Sequence, residues 1–164
     1  MVASSRTVLQ TQLSNIVEHR NLEHWFLDKQ GKLLAWREWR SQLSAMDTAS
    51  AFKEAAEWWK FVPLVNKTFD PWRTETWPNP WELVSNGSFC QNAQGLGMFY
   101  SLVLSGIDCR LLLAVVEDKP RLMVLLNDNK LLNYYDGEIV DVESVEIQIV
   151  ESWAPSDLAR LVKV

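Results

Sequence analysis

Two cysteines, two histidines and one well-placed aspartate carry the chemistry this sequence offers. Cys90 follows Asn86-Gly87-Ser88-Phe89 and opens a run to Ser105 broken only by two glycines, so its thiol is predicted at the first turn of a helix, with Ser88 as a cap. A thiol there sits in the positive end of the helix dipole, which lowers its pKa, and near unpaired backbone N–H groups that could hold an oxyanion. Asp136 is the candidate acid that would orient a base. Both residues also have plain structural readings. A free cysteine is among the most buried residue types, and Asp136-Gly137 between two β-favouring runs is a hairpin signal by itself. His19 and His24 precede all of this and no histidine follows, so a base for Cys90 would require the N-terminal segment to fold back over it. Neither Cys90 and Cys109 nor the two histidines show zinc-ligand spacing, and no metal or cofactor is expected.

These residues need elements to position them. Leu9, Leu13, Ile16 and Val17 recur at helical spacing behind Ser4 and Ser5, giving an amphipathic helix over residues 6–18 that docks on the domain or on a partner. Lys29-Gln30-Gly31-Lys32 reads as a turn. Leu33, Trp36, Trp39 and Leu43 then line one face of a helix with Arg37 and Arg40 turned away. Asp47 or Thr48 caps a third helix with Phe52, Ala55, Ala56 and Trp59 on one face, ended by Pro63. The proline-rich stretch 70–80 should wrap the surface with its indoles turned inward, and a short helical turn follows over residues 81–84.

In the helix after Cys90, Ala93, Gly97, Ser101 and Ser105 fall every four residues and make a face with almost no side chain, suited to close backbone packing. Beyond Gly106 come β-favouring runs at 109–117, 122–126, 131–135 and 145–150 on short turns, which predicts an antiparallel meander. Residues 155–162 close the chain as a short helix. The order is that of an α+β fold: N-terminal Trp-rich helices, then a central helix packed on an antiparallel sheet.

Length and charge narrow the function. The 164 residues, 48% hydrophobic and 23% charged, suit a single domain, with a helical Trp-rich part over 1–80, a core over 81–150 and a C-terminal helix over 151–164. Residues 1–80 hold 10 basic and 9 acidic side chains and residues 81–164 hold 6 and 12, which argues against a nucleic-acid surface. The N-terminus does not read as a secretory signal. The apolar run 95–116 is interrupted by Gly106, Asp108 and Arg110, so no membrane partner is expected. The acidic residues Asp136, Glu138, Asp141, Glu143, Glu146 and Glu151 suit a solvated sheet edge or, alternatively, a basic partner. Eight of the nine tryptophans precede residue 82. A core of this size does not easily hold nine indoles, which makes Trp36, Trp39, Trp72 and Trp77 candidates for a partner interface, the alternative being that they pack the N-terminal layer onto the sheet.

The segments Asn86-Gly87-Ser88-Phe89-Cys90, Ser105-Gly106-Ile107-Asp108-Cys109-Arg110-Leu111-Leu112 and Leu131-Leu132-Asn133-Tyr134-Tyr135-Asp136 together resemble the transglutaminase-like branch of the papain-like superfamily, over about a third of the chain. The resemblance implies that Cys90 stands where the family has its nucleophile and Asp136 where it has the acid of its triad. It also places the family's histidine near Leu122, in Lys119-Pro120-Arg121-Leu122-Met123-Val124, where this chain has none. A base-less thiol with a pKa near about 8.5 is only a few per cent ionised at neutral pH and has no proton to give the leaving group. Catalytic residues are therefore not expected, Cys90 and Asp136 being vestigial, with Leu122 or Met123 filling the imidazole's place and Asp136 making turn or solvent contacts. A fainter resemblance runs over residues 50–141, through Glu57-Trp58-Trp59-Lys60-Phe61-Val62-Pro63, Trp77-Pro78-Asn79-Pro80-Trp81, Phe89-Cys90 and Leu132-Asn133-Tyr134. It is to virion-associated proteins of tailed bacteriophages, including cyanophage-type myophages, which have a Trp-rich helical segment before such a core. It implies a nonenzymatic structural or assembly protein of the neck, tail or baseplate. Its partners would be other virion proteins or further copies of itself, in the virion and, during assembly, in the host cytoplasm. The alternatives are a cysteine-dependent peptidase, amidase or acyltransferase using Cys90, and an intracellular adaptor binding a peptide in the vestigial cleft.

Overall fold

A computed structural model describes residues 27–60, 69–86, 91–127, 129–134 and 138–158. The fold is α+β, with four helices and a five-stranded antiparallel sheet among these residues. The helix predicted over 6–18, the end of the third helix at Pro63 and the cap at Ser88 lie outside them.

Helix α1 (Lys29–Ala45) starts where a turn was expected. Asp28 accepts a hydrogen bond from the Gly31 N–H at 2.8 Å, and this cap turns Lys29-Gln30-Gly31-Lys32 into a first helical turn. Its stripe is as the spacing predicts: Trp36, Trp39 and Leu43 are buried. Asp47 accepts from the Ser50 N–H and hydroxyl and caps α2 (Thr48–Lys60), which buries Phe52, Ala55, Ala56, Trp58 and Trp59. The two helices are joined by a stack of Trp39 on Trp58, with centroids 4.2 Å apart.

Residues 69–79 wrap the surface around a 3-10 turn, Thr74–Thr76, and turn one indole inward instead of two. Asp70 holds both in place. Its carbonyl accepts from the buried Trp77 Nε1 at 3.1 Å, while its carboxylate accepts from the Trp72 N–H in an Asx-turn that leaves the Trp72 ring 52% exposed. Helix α3 (Pro80–Asn86) begins with Asn79 accepting from the Glu82 N–H and with a proline in its first turn, where no donor is missed.

Helix α4 (Gln91–Leu104) is central. Gly106 ends it with φ of +81°, the left-handed cap that glycine adopts without strain. The sheet follows: β1 (Arg110–Val116), β2 (Lys119–Leu125), β3 (Lys130–Leu132), β4 (Ile139–Asp141) and β5 (Gln148–Trp153). The β1–β2 turn is the pair Glu117 and Asp118, both at positive φ, so β2 starts at Lys119 and takes in Pro120, three residues earlier than expected.

The strand order β4-β3-β2-β1-β5 departs from a simple meander. Strand β4 is additional, and β5 returns to pair with β1 on the far side of the sheet. The link from β4 to β5 includes a 3-10 turn, Val142–Ser144, and crosses the sheet once. That crossing carries Val142, Val145 and Ile147 over Leu112, Ala114, Val116, Met123 and Leu131, covering the sheet face turned away from α4. Leu111, Leu113, Leu122, Val124 and Leu132 point the other way, into the main core with the helices. At the end of the chain the expected helix is a 3-10 turn, Pro155–Asp157, as far as it is described.

Candidate functional site at the start of helix α4

Helix α4 begins one residue after Cys90 and packs along β2. The link between them is built on the backbone of Leu122. Asn92 Oδ1 accepts from the Leu122 N–H at 3.1 Å, and Asn133 Nδ2 donates to the Leu122 carbonyl at 3.3 Å. Strand β3 pairs with β2 only at Val124 and Leu125, so these two asparagines satisfy backbone groups that β3 does not reach. Asn133 is buried at φ of +70°, and its N–H donates to the Glu138 carbonyl at 2.9 Å, pinning both ends of the loop that contains Asp136. Arg121 Nη1 donates to the Tyr134 carbonyl at 2.7 Å.

The Leu122 side chain is fully buried and faces α4 in the main core, whereas Met123 faces the opposite side of the sheet. Strand β2 thus offers the helix an aliphatic group at Leu122 and no group that takes a proton. Cys90, Asp136, His19 and His24 lie outside the described residues. Cys109 is buried in the core beside β1, and burial with Asp108 nearby pushes its thiol up to about 12, which makes it inert. Among the described residues no group of three or more His, Cys, Asp or Glu is placed to hold a metal, and no helix is long and apolar enough to cross a membrane.

The tryptophans correct the sequence reading most. Of the four interface candidates, Trp36, Trp39 and Trp77 are buried within the single chain, and Trp72 is exposed. Trp39 stacks on Trp58 and Trp77 packs on Trp153, while the small-residue face of α4 receives Trp36 and Trp59 from the helical layer. Gly97 lies against the Trp59 ring, where an added Cβ would come within 2.6 Å, and Ser101 Oγ accepts from Trp36 Nε1 at 3.0 Å and from Trp59 Nε1 at 2.9 Å. One hydroxyl, with two lone pairs, satisfies two buried indoles. The face toward the sheet is carried by Gly95 instead, where a Cβ would stand 2.2 Å from the Leu122 carbonyl oxygen.

Trp81, 45% exposed, borders an open recess of about 280 Å³ with Leu33, Leu34, Trp36, Arg37 and Arg40. Arg40 is not turned away as its spacing suggested; its guanidinium lies 4.2 Å over the Trp36 ring. Leu34, off the buried stripe of α1, was the sequence signal for this surface, since an apolar residue on the solvent side of an amphipathic helix has no core to enter. The acidic residues Glu138, Asp141, Glu143, Glu146 and Glu151 are exposed, and Asp141 pairs with Lys130 at 3.5 Å.

Comparison of this chain with protein-family models, with curated proteins and with solved structures finds no match.

Proposed function

We propose that this chain is a nonenzymatic structural or assembly protein of a tailed-phage virion, built on a degenerate transglutaminase-like core. The observation that carries the nonenzymatic part is Leu122, buried on β2 and facing the helix that follows Cys90. Acyl transfer through a thiol requires a base within hydrogen-bonding reach of the sulfur and a group to orient that base. At the strand where the resemblance puts that base, an aliphatic side chain is locked in the core, and its backbone is tied to α4 through Asn92 and to β3 through Asn133. The virion part rests on the order of the Trp-rich segment, the helix after Cys90 and the Leu132-Asn133-Tyr134 strand. Mass spectrometry of purified virions from the phage that encodes the chain is the test. The chain should be present at a fixed ratio to the other structural proteins; its presence in infected cells and absence from particles would overturn the reading.

A further inference from the structure

Two exposed apolar pairs, Leu34 with Trp81 on the helical layer and Ile149 with Val150 on the sheet, stand beside residues of opposite charge. On α1 and α3, Leu34 is 57% and Trp81 45% exposed around the recess, whose other walls include Arg37 and Arg40. No ion pair engages either arginine among the described residues, and the Nε of Arg40 is buried without a hydrogen-bond partner. Burial and the neighbouring Arg37 cation press the Arg40 guanidinium below its usual range, so the recess holds like charges without a counter-ion. On edge strand β5, Ile149 is 54% and Val150 47% exposed, with Glu146 and Glu151 exposed beside them. Arg110, on the neighbouring strand β1, donates to Ser152 Oγ at 3.0 Å.

The β5 edge is not shaped for simple strand addition. Leu113 pairs with Glu151 and Ala114 with Ile149, so Val150 is an extra residue bulged out of the ladder. A bulge of this kind blocks edge-to-edge pairing and re-aims side chains. The recess, at about 280 Å³, is open and small for a ligand site. Its size and apolar walls suit side chains inserted from another protein surface.

We propose that the occupant is a second copy of this chain: the bulged Val150 side chain of one copy seats against Leu34 and Trp81 of the next, with the neighbouring Glu151 facing Arg37. The contact is heterologous, since the two surfaces differ, and it therefore propagates into a ring or a filament. A chain that stays monomeric overturns it without touching the virion reading, which absence from particles overturns separately.

The test is sedimentation velocity on the full chain over a range of concentration, with two double variants at exposed positions. The wild type should gain mass with concentration and lose it at high salt. Leu34→Ser with Arg37→Ser removes the recess, Val150→Ser with Glu151→Ser removes the edge, and each alone should be monomeric. Mixed one to one, they should form a dimer that does not grow, because each supplies the half the other lacks. A monomeric wild type, association that survives either double variant, or a mixture that stays monomeric while the wild type associates would each overturn the contact. If circular dichroism shows that a double variant has lost its fold, Arg37→Gln and Glu151→Gln replace the pair. Each should weaken association by about tenfold, and unchanged association in both would overturn the contact.

Discussion

Helix α4 is packed differently on its two faces. Toward the helical layer it offers Gly97 and Ser101 to the side chains of Trp59 and Trp36; toward the sheet it offers Gly95 to the backbone of Leu122. Small residues line both, for different reasons. An indole is a broad surface that fits only where the helix has no Cβ, and its N–H then requires an acceptor at that spot. A strand backbone cannot be moved aside by rotating a side chain, so the approach at Gly95 tolerates less change. The interior of the molecule is thus a helical half held by side-chain fit and polar satisfaction, and a sheet half held by backbone proximity and two asparagine bridges.

The largest expected effect is on the helical face. Ser101→Ala removes the acceptor of two buried indole N–H groups and should destabilise the chain by about 2–6 kcal/mol, from about 1–3 per buried donor. Chemical denaturation measures it, and a loss under about 1 kcal/mol would mean that the hydroxyl is not the anchor of that layer.

Next comes the contrast between the glycines. Gly95→Ala meets a carbonyl oxygen and should cost about 3 kcal/mol, the upper end of overpacking, while Gly97→Ala meets a ring and should cost about 1–2. If unfolding midpoints show the order reversed, the sheet-side contact is softer than the geometry states.

The order of elements and the identity of the central helix were legible in the sequence, and so was the ladder of Ala93, Gly97 and Ser101. Its partner was not. Periodicity says that a face is bare, not whether a strand or an indole fills it, and the polar clue was that a serine in an apolar helix could satisfy tryptophans elsewhere. Counting nine indoles suggested an interface, yet Trp36 enters the core at Ser101 of α4, Trp39 stacks on Trp58, and Trp77 packs on Trp153 with its N–H donated to the Asp70 carbonyl. Strand β4, three residues long, is too short to read as a run although it pairs locally with β3, and the return of β5 to β1 was hidden because it depends on long-range pairing that local pattern does not encode. That the Leu122 backbone is where Asn92 of α4 and Asn133 meet β2 was not legible, because this follows from β3 ending short.

A smaller effect concerns pH. Cys109 titrates near about 12 in the folded chain, against about 8.5 unfolded. Its folded pKa is raised, so the stabilisation it gives is fully present below about pH 8.5 and is lost as pH rises toward the folded value. Tyr100, whose phenol burial also raises, acts in the same direction further into alkali. Denaturation midpoints should fall above about pH 9, and Cys109→Ala should flatten the first part of that fall; an equal fall in the variant would place its cause elsewhere. The smallest effect is Trp72→Ala, which should shift stability by no more than about 0.5 kcal/mol, whereas Trp77→Ala should cost about 3. Equal losses would mean that the exposed indole belongs to the core.

The most direct measurement is the rate at which iodoacetamide labels Cys90 in the folded chain at pH 6, read by peptide mass spectrometry with Cys109 as the buried control. A thiol without a base is ionised to well under about 1% there. The account predicts labelling no faster than that of an unstructured cysteine peptide, rising with pH toward the ordinary thiol range. Labelling at pH 6 faster than the peptide by about a hundredfold, the mark of a thiolate held by a partner cation, would contradict it and make Cys90 a nucleophile.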